Sequence, residues 1–343
     1  MNGYQRVKAA ISGKPLDYRP VMLHNFQVCA HENGLTMREF KHNPAKAAGC
    51  FIKNAEKYDL DGVFIDFDTA TLAGAAGCKV RYSDGEPALA TGTVLDEITD
   101  TGGLPAANLE NDRGIMDWLE CARLVSEYFG NEKYVRCNCD QAPFSLASML
   151  RGAQQFMMDL LDEDAEEYVT SLLAYATRIT SQFIGLAAQT GVHGLSNGDS
   201  VAGPSMISPT MYTTYAVSHE NEIADYAHTL GKDYILHICG DTSSILDKMC
   251  EVRADVFELD YRTELTKIKE MFAGQKTVSG TIDPSSIISL GSPGDIRSAV
   301  NELLRVYKGS TRLIVCSGCA LAKDVPEENM RTFVRTVREI RVS

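Results

Sequence analysis

The feature that most constrains the fold is a regular alternation of short apolar runs with helical patterns along nearly the whole chain. Apolar runs of this length, bounded by turn residues, are typical of buried strands, and strands that alternate with helices favour a parallel sheet. The eight candidate strands are residues 17–24, 61–68, 134–139, 192–196, 234–239, 256–260, 277–283 and 313–316. The alternation predicts a (β/α)8 TIM barrel. A doubly wound open sheet fits nearly as well, but it would place the fifth and eighth strands farther apart.

The helical patterns fill the intervals between these strands. The predicted helices cover residues 44–58, 111–129 (with the only tryptophan, Trp118), 163–190 and 209–230. A last helix is expected to begin with Asp324 as its N-cap, followed by Pro326 and Glu327. Its apolar stripe consists of Met330, Phe333, Val334, Val337 and Ile340. Residues 74–104 are irregular, with a hairpin-like turn at 83–85, and we interpret them as an insertion in one barrel domain that spans residues 1–343.

Composition excludes several classes of protein. The formal net charge of −13, without a local cluster of Lys and Arg, argues against a nucleic-acid-binding protein. No run of eighteen apolar residues would form a membrane span, and the N-terminus lacks the apolar core of a secretory signal. We therefore expect a cytoplasmic protein. Its ten cysteines are then expected to be reduced, with metal or redox use at a few of them.

A candidate metal site comes from two strand ends that are distant in sequence. His237 and Cys239 are two residues apart, so on a strand their side chains point to the same face. Cys319 follows the last candidate strand. In a barrel the carboxyl ends of the strands meet at one mouth, where His237, Cys239 and Cys319 would supply three zinc ligands and leave a fourth position open. The alternative for each residue is a packed histidine or a buried thiol.

Several other side chains compete for a role at the mouth. Glu258 ends the sixth strand and is a candidate catalytic residue or fourth ligand, with an exposed strand-end carboxylate as the alternative. Asp199 is a candidate for positioning or protonating the substrate, or else it caps a glycine-rich loop. His24 and His193 lie near strand ends but have packed histidines as their alternative. Asp283 is better explained as a turn residue.

Two further cysteine arrangements rival the proposed ligand set. Cys137 and Cys139 have the same spacing on the third strand and form a possible metal pair of their own. Cys316 lies three residues before Cys319 and competes with it as the third ligand. If residues 313–316 are strand, Cys316 packs inside the barrel and Cys319 reaches the mouth, so we favour Cys319.

Longer motifs point to a known superfamily. They are Ser317-Gly318-Cys319, Asp324 to Met330, Gly280 to Pro284, Ala142 to Ser148 and Asp199 to Pro209. Together they resemble the motifs of the uroporphyrinogen decarboxylase superfamily from about Gln5 to the C-terminus, and the resemblance implies a (β/α)8 barrel. Within it, His237, Cys239 and Cys319 are similar to the ligands of zinc-dependent corrinoid methyltransferases. The decarboxylase branch carries arginines early in the chain, whereas residues 23–30 contain none.

This resemblance implies a zinc enzyme that moves a methyl group between a small substrate and cobalt. The substrate is either a methyl donor, such as an ether, an alcohol or a methylamine, or a thiol acceptor. The chain has no Asp-x-His-x-x-Gly cobalamin motif, so the corrinoid is expected on a partner protein; a homodimer is left open. The alternatives are a metal-free lyase of the uroporphyrinogen decarboxylase type and a non-catalytic protein that binds a corrinoid or its carrier.

Overall fold

The computed structural model describes residues 1–272 and 274–342. Its strands are β1 (Gly62–Ile65), β2 (Val80–Arg81), β3 (Leu89–Ala90), β4 (Tyr134–Gln141), β5 (Gly194–Gly198), β6 (Asp233–Ile238), β7 (Val256–Leu259), β8 (Thr277–Ile282) and β9 (Leu313–Ser317). Seven of them form one parallel sheet in the order β1-β4-β5-β6-β7-β8-β9. The short strands β2 and β3 pair as an antiparallel hairpin within residues 74–104.

Helices precede or follow each strand of the parallel sheet. They are α1 (Gly3–Ser12), α2 (Phe26–Glu32), α3 (Met37–His42), α4 (Pro44–Lys57), α5 (Thr71–Ala75), α6 (Arg113–Phe129), α7 (Pro143–Arg151), α8 (Ala153–Asp159), α9 (Glu166–Ala188), α10 (Pro209–Tyr215), α11 (Val217–Thr229), α12 (Leu246–Met249), α13 (Leu265–Phe272), α14 (Pro293–Val306) and α15 (Glu327–Arg338). No helix in the described part of the chain is long and apolar enough to cross a membrane.

The predicted (β/α)8 barrel is confirmed, but its first strand is reduced to a single bridge. Val21 pairs with Val315 on β9, and the Val21 carbonyl accepts a hydrogen bond from Asp61, next to β1. This segment therefore closes the gap between the first and last strands of the sheet. It forms no regular ladder, because Pro20 has no N–H and the Val21 N–H donates to the Asp61 carboxylate at 2.7 Å.

Alternation along the strands separates two apolar cores. Inward residues at the amino ends of the strands, among them Phe64, Tyr134 and Ile235, pack against Val7 and Ala10 of α1, which closes that end of the barrel. The outward residues pack under the helices in the larger core. The carboxyl ends of the strands are left as the open end, where a TIM barrel places its active site.

Two helix predictions need correction. The predicted helix 209–230 is interrupted at Ala216, which separates α10 from α11. The last helix begins at Glu327 with Pro326 in the N-cap position and no side-chain cap, so Asp324 is not the N-cap. The predicted stripe of α15 is buried through Val337, but Ile340 lies beyond the helix and is exposed.

Candidate metal centre and active-site cavity

A cavity of about 260 Å³ lies at the carboxyl ends of the strands. Its polar wall includes His24, Asp66, Asp68, Arg136, Asn138, Asp140, Gln141, Ser200 and Glu258, and its apolar wall includes Phe26, Phe64, Pro87 and Ala320. His237, Cys239 and Cys319 also line the cavity. The cavity therefore contains all three predicted metal ligands.

The structure brings these three residues together. The donor atoms of His237, Cys239 and Cys319 all lie within 4.8 Å of one another, and no other group of three potential ligands is found among the described residues. His237 Nε2 lies 2.9 Å from Cys239 Sγ. Cys319 reaches the cluster from the loop after β9, whereas His237 and Cys239 come from β6 and the residues after it. The cluster thus joins strand ends separated by about 80 residues of sequence.

Hydrogen bonds fix the orientation of two ligands. His237 Nδ1 donates to the backbone carbonyl of Glu258 at 2.9 Å, which leaves Nε2 directed at Cys239. The Ser200 hydroxyl donates to Cys239 Sγ at 3.3 Å. A metal-binding histidine usually donates its other ring N–H to a carbonyl or carboxylate in this way.

The same contacts shift the pKa values of the Cys239 and Cys319 thiols in opposite directions. A hydrogen bond from the Cys319 thiol, assisted by His237, lowers the pKa of Cys239 to about 3 despite burial. The pKa of Cys319 is raised by that same bond and by burial. Burial lowers the pKa of His237, but the adjacent Cys239 thiolate outweighs it and raises that pKa to about 10. The cluster therefore stabilises negative charge on sulfur, as a thiolate ligand requires.

Glu258 is fully buried, so the expected alternative of an exposed strand-end carboxylate is wrong. Its Oε2 accepts a hydrogen bond from Arg136, and its Oε1 lies 3.7 Å from His24 Nδ1 without a hydrogen-bond partner. Burial raises the pKa of Glu258, but Arg136, His24 and His237 together outweigh it and hold that pKa well below its usual range. The Glu258 side chain is not part of the three-residue ligand cluster.

His24 lies in the cavity wall and is not merely a packed histidine. Its Nε2 is 2.6 Å from Asp66 Oδ2, and Asn138 donates to the other oxygen of Asp66 at 3.0 Å. Burial lowers the pKa of His24, but Asp66 and Glu258 outweigh it, so the pKa is raised. The imidazole thus lies between two carboxylates: its Nε2 is bonded to Asp66, and its Nδ1 faces Glu258.

Asp199 does not line the cavity. Its carboxylate accepts a hydrogen bond from the backbone N–H of Ser145, in the first turn of α7, at 2.7 Å. It is completely buried, and burial raises its pKa to about 6. This placement favours a capping role at α7 over contact with substrate, whereas the expected cap of the glycine-rich loop is not formed by the side chain.

The remaining candidates also lie away from the cavity. Cys137 and Cys139 point outward from β4 into the core under the helices, where no third ligand approaches them among the described residues. Cys316 is buried in β9 and, unlike Cys319, is not within reach of Cys239. The His193 side chain accepts from the backbone of Val135, at the amino end of β4. Asp283 accepts from the backbone amides of residues 285 and 286, as expected of a turn residue.

Sequence reasoning missed most of the polar wall. Asp66 and Asp68 follow β1, and Arg136, Asn138 and Asp140 belong to β4. A signal was present, because Arg136 and Asn138 alternate with apolar residues on a strand that is otherwise buried on both faces. The structure itself shows a further irregularity at Asp140, at the end of this strand. Asp140 adopts a positive φ of 60° where the β4–β5 register shifts, and such irregularities occur next to active sites.

The chain is similar to known proteins along nearly its whole length. A family model described as uroporphyrinogen decarboxylase (URO-D) matches residues 3–340. The methylcobamide:CoM methyltransferase MtbA of Methanosarcina acetivorans is 23% identical over 340 residues, which cover 97% of each chain. MtaA of Methanosarcina barkeri, with the same description, is 23% identical over 96% of this chain and 95% of its own. A uroporphyrinogen decarboxylase of Legionella pneumophila is 22% identical over 87% of this chain and 84% of its own.

One solved structure is similar along the whole chain. A methyltransferase from Methanosarcina mazei superposes with a TM-score of 0.90 at 22% sequence identity and covers 99% of both chains. At this level of identity, the similarity establishes the shared barrel.

Proposed function

The chain belongs to the uroporphyrinogen decarboxylase family, and we propose that it is a zinc-dependent methyltransferase that works with a corrinoid. It moves a methyl group between a small substrate and the cobalt of a corrinoid protein. Relatives named methylcobamide:CoM methyltransferases support methyl transfer that involves a corrinoid. The observation that carries the proposal for zinc is the cluster of His237, Cys239 and Cys319 in the cavity lining.

The donor set fits zinc on chemical grounds. One imidazole nitrogen and two sulfurs are preferred zinc ligands, and three protein ligands leave the fourth position for substrate, as in catalytic sites. Cys239 and Cys319 are close enough to share a hydrogen bond, and a divalent cation would take the place of that shared proton. Bound there, zinc would supply a Lewis acid for a thiol acceptor or for the oxygen of a methyl donor.

The residues of the chain provide the remaining requirements of a displacement at a methyl carbon. Phe26, Phe64 and Pro87 give the cavity an apolar wall that excludes water from the methyl group. His24 and Glu258 present unpaired polar atoms to hold the polar end of the substrate. The reacting groups are thereby oriented before the corrinoid approaches.

The corrinoid is expected to arrive on a partner protein. A cavity of about 260 Å³ is smaller than the roughly 300–1,000 Å³ pockets that hold drug-sized ligands, and a corrin macrocycle is larger still. The absence of an Asp-x-His-x-x-Gly motif from the sequence agrees with a separate carrier. The partner would then dock over the mouth of the barrel.

Decarboxylation of a polycarboxylate is the less favoured alternative. Recognition of several carboxylates calls for free arginines. Among the described residues that line the cavity, Arg136 is the only arginine or lysine, and it is bonded to Glu258. A relative of this chain is named uroporphyrinogen decarboxylase, so decarboxylation remains the alternative function. The metal content of the purified protein discriminates between a zinc methyltransferase and a metal-free decarboxylase.

The test measures zinc and methyl transfer in single variants. We expect about one zinc per chain in the wild type, and loss of most of it in His237→Ala, Cys239→Ala and Cys319→Ala. Cys250→Ala, a cysteine outside the cavity, is the matched control, and Cys316→Ala tests the rival third ligand. Full zinc in all three ligand variants would refute the site.

A second measurement separates a catalytic from a structural zinc. Cys239→Ser should lose most cobalt-methylation activity and keep nearly the wild-type thermal midpoint, because the two apolar cores do not depend on the cluster. Chelator-treated wild type should behave in the same way. A collapse of the midpoint in parallel with activity would mean that the zinc is structural.

A further inference from the structure

The charged groups of the cavity wall are paired with one another. Arg136 is bonded to Glu258 and stacks on Phe64, 3.5 Å from the ring centroid. His24 lies between Asp66 and Glu258. No cation of the described cavity wall is therefore left without a carboxylate beside it.

The other two carboxyl groups of the wall are also matched. Asp68 accepts from Thr71 and lies 3.4 Å from the buried ammonium of Lys41, which is behind the wall. Asp140 accepts from the backbone of Leu72 at 2.7 Å, and burial raises its pKa well above its usual range. These contacts leave neither a free cation nor a carboxylate in need of one.

This arrangement disfavours a charged substrate of either sign. An anion would have to take Arg136 from Glu258, and Glu258 would then remain as an uncompensated buried charge. A cation would have to compete with Arg136, His24 or Lys41 for a carboxylate that is already bonded. An uncharged molecule avoids both costs.

In the described cavity wall, two buried side-chain atoms remain without a hydrogen-bond partner and can recognise such a molecule. Glu258 Oε1 and His24 Nδ1 are buried, have no hydrogen-bond partner and lie 3.7 Å apart in the cavity wall. Buried polar atoms are normally hydrogen-bonded, so an unpaired pair in a cavity indicates a missing partner. One hydroxyl group placed between them satisfies both.

We propose that the small substrate is an uncharged molecule whose hydroxyl group lies between His24 Nδ1 and Glu258 Oε1. This inference rests on the proposed function and narrows its substrate class. It sets the chain apart from relatives named for CoM, since coenzyme M carries an anionic sulfonate. The preference for an uncharged substrate over a charged one is attributed to the polar wall of the cavity, and not to the cluster of His237, Cys239 and Cys319.

Three thiols that share a two-carbon chain test the inference directly. 2-Mercaptoethanol, 2-mercaptoethanesulfonate and 2-aminoethanethiol carry a neutral, an anionic and a cationic group, respectively, at the end of that chain. Their affinities for the purified enzyme are measured by calorimetry and compared at equal thiolate concentration. We expect 2-mercaptoethanol to bind at least about tenfold more tightly than either charged thiol. Equal or tighter binding of a charged thiol, or no binding of any, would overturn the inference.

A variant shows whether the wall sets the preference. Glu258→Gln removes the carboxylate that occupies Arg136, so the affinity for the sulfonate should rise at least about tenfold relative to 2-mercaptoethanol. Glu220→Gln is the control, because Glu220 is also a buried carboxyl but lies outside the cavity lining. If the ratio of the affinities for 2-mercaptoethanesulfonate and 2-mercaptoethanol were the same in Glu258→Gln as in the wild type, the polar wall would not set the charge preference. If that variant fails to fold, the wild-type order of affinities decides alone.

Zinc content, measured in the same wild-type samples, distinguishes the two proposals. A chain that binds no zinc refutes the zinc methyltransferase, while calorimetry still reports the order of the three thiols. A chain that binds zinc but prefers the sulfonate refutes only the uncharged substrate.

Discussion

Replacing Arg136 by methionine tests whether the buried ion pair between Arg136 and Glu258 stabilises the folded protein around the cavity. Arg136 and Glu258 are both almost completely buried. Methionine keeps much of the apolar volume of Arg136 but removes the bond to Glu258, the bond to Ser196 at 2.8 Å and the stacking on Phe64. Glu258 is then left as a buried carboxylate whose nearest remaining cation is His24.

The expected loss of stability is large. Removing one partner of a buried ion pair costs roughly 3–5 kcal/mol, because the other charge stays buried without compensation. An unfolding entropy of about 2.1 cal/mol/K per residue gives about 0.7 kcal/mol/K for this chain. The thermal midpoint should therefore fall by roughly 4–7 °C. Adding Glu258→Gln removes the stranded charge, so the double variant should be more stable than Arg136→Met alone.

The loss should depend on pH with a definite sign. In the wild type, burial raises the pKa of Glu258, but Arg136 together with His24 and His237 holds it well below its usual range, so the stabilisation from ionised Glu258 is present above the unfolded pKa of about 4.3 and is lost only in acid. In Arg136→Met, burial raises the folded pKa of Glu258. Its contribution is then present below about pH 4.3 and is lost as pH rises. The gap to wild type should widen between pH 5 and pH 8.

Thermal unfolding of four zinc-loaded proteins measures this effect: wild type, Arg136→Met, Glu258→Gln and the double variant. A coupling energy of several kcal/mol, larger at pH 8 than at pH 5, is the expected outcome. Additive single effects would refute the ion pair as the source of stability. A gap that is independent of pH would refute the assignment of the charge to Glu258.

Two further predictions concern opposite ends of the barrel. A backbone N–H donates to His193 Nδ1 at 2.9 Å and burial lowers the pKa of His193 to about 4, so the folded protein holds a neutral imidazole. Its stabilisation is present above the unfolded pKa of about 6.5 and is lost as pH falls towards 4; the drop in thermal midpoint from pH 7 to pH 5 should be smaller in His193→Gln, and an equal drop would contradict this. In Gly318→Ala the new Cβ would lie 2.6 Å from the backbone nitrogen of Tyr261, so the adjacent Cys319 must move and zinc affinity should fall at least about tenfold. Gly102→Ala, where nothing lies within 4 Å, is the control, and equal zinc affinity in both would refute the crowding.

The clustering of the three candidate ligands could be predicted because a local rule and a fold rule act together. The i, i+2 spacing of His237 and Cys239 fixes a shared face on a strand, and the barrel brings the end of β9 to the same mouth. Cys137 and Cys139 obey the same local rule but face outward, which spacing alone does not reveal. The barrel itself followed from the alternation, and its weakest strand was the one that contains Pro20.

The polar wall escaped prediction because its charges are matched across strands. The hydrogen-bonded partners are far apart in sequence: 72 positions separate Asp66 from Asn138, and 122 positions separate Arg136 from Glu258. The role of each residue is recognisable only when its partner is known. Taken singly, Asp66 and Glu258 resemble the solvated carboxylates that end many strands. The contact of Asp199 with α7 could not be predicted for the related reason that the first turn of α7 is distant in sequence.

Glu258 contacts both the candidate ligand cluster and the polar wall of the cavity, through two different groups. Its backbone carbonyl accepts from His237 Nδ1 and so orients a metal ligand, whereas its carboxylate binds Arg136 and faces His24. A side-chain substitution leaves the carbonyl in place. Glu258→Gln should therefore retain zinc while its preference among the thiols changes, because only the second group has been altered. If zinc were lost along with the preference, the carboxylate would have to act on the metal centre as well, and the division of the cavity into a ligand cluster and an independent charged wall would fail.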